Sequence, residues 1–258
     1  MVAGEVRLGR EGGVAVLTID HPPANALSRD VVAALDRALT EAEADEGTRA
    51  AVVTGAGARF FVAGADINEF QASADATRSW IATGQALTLR MSRMRLPIVA
   101  AVNGFALGGG LELAMACDIR IAAAGARLGQ PEVTLGLIPG WGGTQRLPRL
   151  IGRGPALALL LTGDPLDAEA ALGLGLVHEV VAADAVRARA IEWAQRLAAQ
   201  APVAVAAIKR AVADGLDRPL GEGLAAELDG FMTAFTSADA AEGVAAFLGK
   251  RPPRWSGR

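Results

Sequence analysis

Through the first two thirds of the chain, apolar runs of strand length alternate with segments of helical periodicity, and after Asp184 the strand-like runs stop. Val14–Ile19, bounded by two glycines and by His21-Pro22-Pro23, reads as a strand ending in a turn. Asp30–Ala44 repeats Val31, Leu35 and Leu39 at helical spacing, with Ser28 placed to cap it. Further strands are expected over 51–55, 97–102, 118–123 and 177–181. Helices are expected over 80–95 and over 111–116, the latter opening from the glycines at 108–110. Four segments, 185–200, 202–216, 220–235 and 238–250, read as helices alone. That order predicts an α/β layer architecture followed by a helical quarter. No Pro- or Ser-rich linker divides the two, so they are expected to pack as one unit.

Composition narrows the function. A net charge of −3, with basic and acidic residues interspersed, leaves no patch suited to a phosphate-rich polymer, so nucleic acid is not an expected partner. Cys117 is the single cysteine, which excludes an intramolecular disulfide, and its apolar neighbours predict a core residue. The opening residues hold no apolar segment of the kind a secretory signal requires, and no apolar run is long enough to span a bilayer. The expected setting is cytoplasmic, away from membranes.

Charge is absent where chemistry would most notice it. Between Arg95 and Asp118 the only carboxylate or cation is Glu112, and between Arg127 and Arg146 it is Glu132. An ionised carboxylate is costly to bury unpaired, so two acids in apolar sequence are paired, protonated, hydrogen-bonded or facing a cavity. If they share a pocket, desolvation and mutual repulsion raise at least one pKa, and the natural use is to hold one water between a proton donor and an acceptor. The spacing alone equally fits two ordinary half-exposed glutamates.

Two glycine turns lie beside these acids. Asn103–Gly110 (NGFALGGG) runs into the helix that carries Glu112, where the first backbone N–H groups have no internal partner and the helix dipole favours an anion. As a bare pattern it is also an ordinary strand-to-helix turn. In Phe61–Phe70 (FVAGADINEF), Asp66 and Glu69 have the spacing of a capping box, which gives Asp66 a structural role, and the N–H of Ala65 could supply a second donor to a carbonyl oxygen gaining charge. P-loop, zincin and hydrolase-triad motifs are absent. His21 and His178 lack metal-ligand spacing and read as structural, so no metal is expected.

Taken in order, HPPANAL, FVAGADI, NGFALGGGLELAMACDIRIAA, GQPEVTLGLIPGWGGTQRLPRLIG, GLVHEV and FLGKRPPRWSGR resemble the crotonase superfamily, specifically enoyl-CoA hydratases, from about Val6 to the C-terminus. The resemblance implies a spiral of ββα repeats over 1–195 and a C-terminal α-helical trimerisation region over 196–258. It further implies a homotrimer or a hexamer made of two trimers. The implied activity is a hydro-lyase: reversible syn addition of water to trans-2-enoyl-CoA, giving 3-hydroxyacyl-CoA, in fatty acid β-oxidation or related acyl-CoA catabolism. Coenzyme A is part of the substrate and no further cofactor is implied.

By the same resemblance, the N–H groups of Ala65 and Gly109 form the oxyanion hole, Glu112 and Glu132 are the catalytic acids, and Gly140 helps place the water. Ala63, Asp66, Ile67 and Asn68 line the CoA path, with Phe247 and Lys250 reaching in from a neighbouring subunit. Asn68 stands where many members carry Lys, which removes one phosphate-facing charge, and Trp255 stands where Phe is common. An enoyl-CoA delta-isomerase, which needs one acid, and a non-catalytic acyl-CoA-binding protein are the competing readings.

Overall fold

The computed structural model of the chain describes residues 4–71 and 73–258. The chain opens with an antiparallel pair, β1 (Glu5–Glu11) and β2 (Val14–Asp20), and then enters α1 (Arg29–Ala44). The side chain of Ser28 accepts from the Val31 N–H, as the sequence suggests. α1 buries Val31, Leu35 and Leu39, the stripe that helical periodicity picks out.

From here each turn of chain places one strand in each of two sheets. β3 (Ala50–Gly55) is followed by β4 (Phe60–Val62) and α2 (Ala74–Arg93). Next come β5 (Ile98–Val102), β6 (Phe105–Leu107) and α3 (Gly109–Ala116), and then β7 (Ile119–Ala123) and β8 (Arg127–Gly129). α4 (Gly143–Ile151), α5 (Arg153–Thr162), β9 (Leu166–Asp167), α6 (Ala168–Gly173) and β10 (Glu179–Val181) complete the winding. The larger sheet runs β1-β2-β3-β5-β7-β10 and the smaller β4-β6-β8-β9. Beyond β1, all neighbours in the larger sheet are parallel, which a chain returning to the same edge once per turn requires. The architecture is α/β, a spiral of ββα units.

Every residue of β3 and of β5 is buried, since α7 (Val186–Ala198) packs on the central strands and the second sheet lies across the turns. α8 (Pro202–Gly215), α9 (Leu220–Phe235) and α10 (Ala238–Leu248) follow. Neither α8 nor α9 buries a residue. Lys209 ties α8 to the spiral, donating at 2.7 Å to both Leu96 O and Asp118 Oδ2.

Several expectations need adjustment. The helix expected over 80–95 begins at Ala74, capped by the Ser73 hydroxyl, and ends at Arg93, where Met94 leaves the helical region with ψ 148°. β1 is an edge strand whose alternation is masked by Glu and Arg on its exposed face. β4, β6, β8 and β9 are two or three residues long, below the length at which period-two patterning can be read.

Two buried polar residues fasten the turns. The Asn103 amide donates to the carbonyls of Gly55, Gly57 and Phe60 and accepts from the Gly55 N–H, joining the turn after β3 to that after β5. Arg120, 3% exposed, donates to the carbonyls of Ala114, Cys117 and Leu176. Its guanidinium thus caps the C-terminal end of α3 with favourable charge and anchors the helix whose other end opens on the candidate site.

Candidate active site

The strands of the smaller sheet deliver the site. Parallel pairing of β4 with β6, and of β6 with β8, sets the chain after each strand beside its neighbours: Ala65 after β4, Gly108 and Gly109 after β6, and Glu132 after β8. Gly108 N–H donates to Gly129 O at 2.9 Å, and Leu27 N–H to Gly64 O at 2.9 Å, so both turns are pinned by backbone bonds.

Gly108 has φ 51° and ψ −125°, a conformation glycine adopts readily and other residues rarely do. A Cβ at Gly109 would stand 3.3 Å from the Ala65 nitrogen, so the two turns abut. Among the described residues, neither the Ala65 N–H nor the Gly109 N–H donates to a protein acceptor. Buried backbone donors are almost always paired. Two unpaired ones side by side, with the positive end of α3 behind them, form a receptor for an oxygen that carries or acquires negative charge.

Glu112 lies on α3 and is 2% exposed. Its Oε1 accepts from the Trp141 N–H and the Gly143 N–H, each at 2.7 Å, in the glycine-rich segment entering α4. Burial pushes its carboxyl up to about 7, opposed by the Gly143 N–H and reinforced by the charge of Glu132. Glu132 sits in a short 3-10 turn, Pro131–Leu135, near enough to Glu112 for its charge to act on it. Its Oε1 lies 2.8 Å from where a Cβ on Gly108 would be, so only the missing side chain admits it. Burial raises its pKa as well. In the orientation that satisfies both groups, the fully buried Gln130 amide donates to the two Glu132 oxygens at 3.0 and 3.1 Å. Two neighbouring acids, each with a carboxyl pKa raised by burial, are suited to give up and take back a proton in turn.

The remaining expected residues divide. Ala63, Asp66, Ile67 and Asn68 lie together on the turn after β4, with Ile67 63% exposed. The capping box is only half made: Asp66 Oδ1 accepts from the Asn68 N–H at 3.0 Å, whereas Glu69 turns outward and accepts from the backbone N–H and Nε of Arg29. The Asp66 N–H is already taken by Leu27 O, and Arg29 offers Glu69 a charged partner instead. Gly140 precedes Trp141 and its carbonyl accepts from Gln85 Nε2 at 2.8 Å. Phe247, 83% exposed, and Lys250 lie on and just past α10, which packs on α9, so one chain alone does not bring them to the acids.

Cys117 is buried and its thiol is pushed up to about 12, the behaviour of a core residue. The ring nitrogen His21 Nδ1 lies 2.6 Å from Ala26 O, and His178 Nδ1 accepts from the Arg120 N–H, so both rings serve local structure. Among the described residues no group of three or more His, Cys, Asp or Glu side chains could hold a metal ion. Nor is any described helix long and apolar enough to cross a membrane. Sequence reasoning missed Gln130, Trp141 and Gly143. Two of them act through backbone N–H groups that no residue type announces. Gln130 was visible only as a neutral polar residue two places before Glu132.

Comparison with known proteins agrees with this geometry. Residues 9–258 match the family described as enoyl-CoA hydratase/isomerase. The chain is 44% identical over 253 residues to the short-chain-enoyl-CoA hydratase of Clostridium acetobutylicum, covering 97% of each chain. It is 43% identical over 253 residues to the crotonyl-CoA hydratase of Syntrophomonas wolfei, again covering 97% of each. Its fold is similar to the crystal structure of enoyl-CoA hydratase from Bacillus anthracis, with a TM-score of 0.94 at 37% identity, over 98% of this chain and all of that one. The chain therefore belongs to the enoyl-CoA hydratase/isomerase family of the crotonase superfamily and is an enzyme of the hydro-lyase kind.

Proposed function

We propose that the protein is an enoyl-CoA hydratase that adds water reversibly and syn across trans-2-enoyl-CoA in fatty acid β-oxidation or related acyl-CoA catabolism. The observation that carries this reading is a pair of acids, Glu112 on the helix opening at Gly109 and Glu132 against Gly108, near enough for the charge of Glu132 to act on Glu112, beside two unpaired N–H groups. The thioester carbonyl accepts from Ala65 and Gly109, which draws electrons from the β-carbon and stabilises the enolate formed on addition. Glu112 accepts a proton from the water as its oxygen bonds to the β-carbon, and Glu132 delivers a proton to the α-carbon. Dehydration runs the same transfers backwards. Gly140 helps place the water by its backbone, and no cofactor takes part beyond the coenzyme A of the substrate.

In this reading the CoA runs past Ala63, Asp66, Ile67 and Asn68. Asn68 offers an amide where a cation would face phosphate, and Asp66 already engages that amide at 2.8 Å. An isomerase needs only one acid to shuttle a proton, so the presence of a second carboxyl, Glu132 beside the buried Glu112, favours the hydratase. The test is loss of the conjugated enoyl absorbance of crotonyl-CoA on adding enzyme, with the 3-hydroxyacyl product identified by mass. Movement of the double bond without uptake of water would establish the isomerase instead, and tight CoA binding with no turnover would establish a binding protein.

We also propose that residues 196–258 join copies of the chain into a trimer or a hexamer, with Phe247 and Lys250 supplied to a neighbour's CoA. Ile208, Leu216, Leu220, Phe231, Phe235 and Phe247 are all more than 60% exposed, an apolar surface that a monomer would leave in water. Light scattering is expected to return three or six times the 26.4 kDa chain mass. A monomer at micromolar concentration would remove both the assembly and the shared CoA contacts. The expected setting is the cytoplasm, supported by the lone buried thiol of Cys117.

A further inference from the structure

Gly84 lies in the interior of α2, where glycine costs about 1 kcal/mol relative to alanine. The reason is steric: a Cβ at Gly84 would fall inside the Trp141 indole. The ring is 2% exposed and meets Trp80 edge-on, at 5.1 Å between centroids and an interplanar angle of 83°. Its other edge reaches to 3.5 Å from where a Cβ on Gly109 would stand. Trp141 thus runs from α2 to the oxyanion turn, directly behind the carboxyl of Glu112, which its own backbone N–H holds. The Thr88 hydroxyl donates to Trp141 O at 2.9 Å and fixes the ring's attachment to α2. Ile81, one residue past Trp80, closes the same wall, with Cδ1 2.9 Å from the Cβ position of Gly140.

We propose that Trp141, admitted by Gly84 and backed by Trp80 and Ile81, closes the far end of the acyl pocket and selects short acyl chains. The inference rests on the hydratase reading, which puts the carbonyl at Gly109 and the β-carbon beside Glu112. A chain continuing past the β-carbon then runs toward Gly140, Ile81 and the indole. Ile81 Cδ1 crowds the Gly140 position and the indole is 2% exposed, so in this reading further methylenes meet a filled wall. A cavity of about 790 Å³ between the spiral and α8–α9, around Arg95, Arg210 and Asp229, is lined by none of the acid-site residues. A mismatch of one methylene in an apolar pocket changes discrimination by about tenfold or more, so several compound.

Neither the Trp141 nor the Trp80 indole N–H has a hydrogen-bond partner among the described residues. Trp141→Phe therefore removes no hydrogen bond. The experiment compares kcat/KM for crotonyl-CoA and trans-2-octenoyl-CoA in the unaltered enzyme, Trp141→Phe, Trp141→Ala and Ile81→Ala. The unaltered enzyme is expected to favour crotonyl-CoA by about 100-fold, and Trp141→Ala to shrink that preference by about tenfold or more, with Phe between them. Equal use of both substrates by the unaltered enzyme, or an unchanged preference in the folded variants, would overturn the proposal. If Trp141→Ala does not fold, Trp141→Phe and Ile81→Ala carry the comparison. If the unaltered enzyme turns over neither substrate, the hydratase reading fails by itself, and calorimetric Kd values for butyryl-CoA and octanoyl-CoA in the same variants still decide whether Trp141 limits the chain.

Discussion

Glu132→Gln is expected to lower kcat for crotonyl-CoA hydration by about 1,000-fold, the scale of a lost general acid or base, with the Kd for butyryl-CoA little changed. Glutamine keeps the shape of the side chain and a carbonyl oxygen for the Gln130 amide but cannot pass a proton to the α-carbon. Glu112→Gln is expected to lose activity on the same scale and, unlike most losses of a buried polar group, to stabilise the fold. Its Oε1 can still accept from the Trp141 and Gly143 N–H groups, while the buried charge disappears. The sign follows from the raised carboxyl: about 7 in the fold against an ordinary 4.5, a difference worth roughly 3 kcal/mol. Glu112 begins to destabilise the fold as pH rises past about 4.5, and the loss is complete above about 7. The Tm advantage of the glutamine variant should therefore be small at pH 4.5 and largest at pH 8. Activity near that of the unaltered enzyme in either variant would end the two-acid mechanism, and a pH-independent Tm difference would end the account of Glu112.

Gly108→Ala is the second large effect expected. The residue sits at φ 51°, and its Cβ would lie 2.8 Å from Glu132 Oε1. The substitution therefore strains the turn by about 1–3 kcal/mol and displaces the acid. A shift of about 1 Å in a catalytic group costs on the order of 100-fold in rate, and kcat should fall by that much with the protein still folded. Gly125→Ala is the control, since nothing lies within 4 Å of its Cβ position and the residue is exposed. Equal kcat in the two variants would show that Gly108 does not set the position of Glu132.

The large sheet and the long helices were legible because burial writes itself into spacing. Val31, Leu35 and Leu39 face inward on α1, and the wholly apolar run at 98–102 becomes a central strand. The smaller sheet was not, because a three-residue strand such as Phe105–Leu107 has too few positions to show a period. The isolation of Glu112 and Glu132 in apolar sequence pointed to acids short of solvent, and desolvation raises the pKa of both. What sequence could not supply is their company. The amides that hold Glu112 come from Trp141 and Gly143, about thirty residues away and brought near only by the winding. The capping box failed for a related reason: Glu69 found a guanidinium forty positions back, which no local pattern records.

Because Ala65, Gly109 with Glu112, and Glu132 each follow successive strands of the small sheet, the three roles of the proposed mechanism fall on three consecutive storeys. Strands in a sheet are spaced by about 4.8 Å, so the storeys span about 10 Å in all, the scale of a thioester and its first few carbons. Each storey is one exchangeable turn of chain. If the proposed roles hold, redesign of the third could install a different proton-handling group while the first two keep hold of the carbonyl, so that new reactions reach the same substrate handle without rebuilding the scaffold.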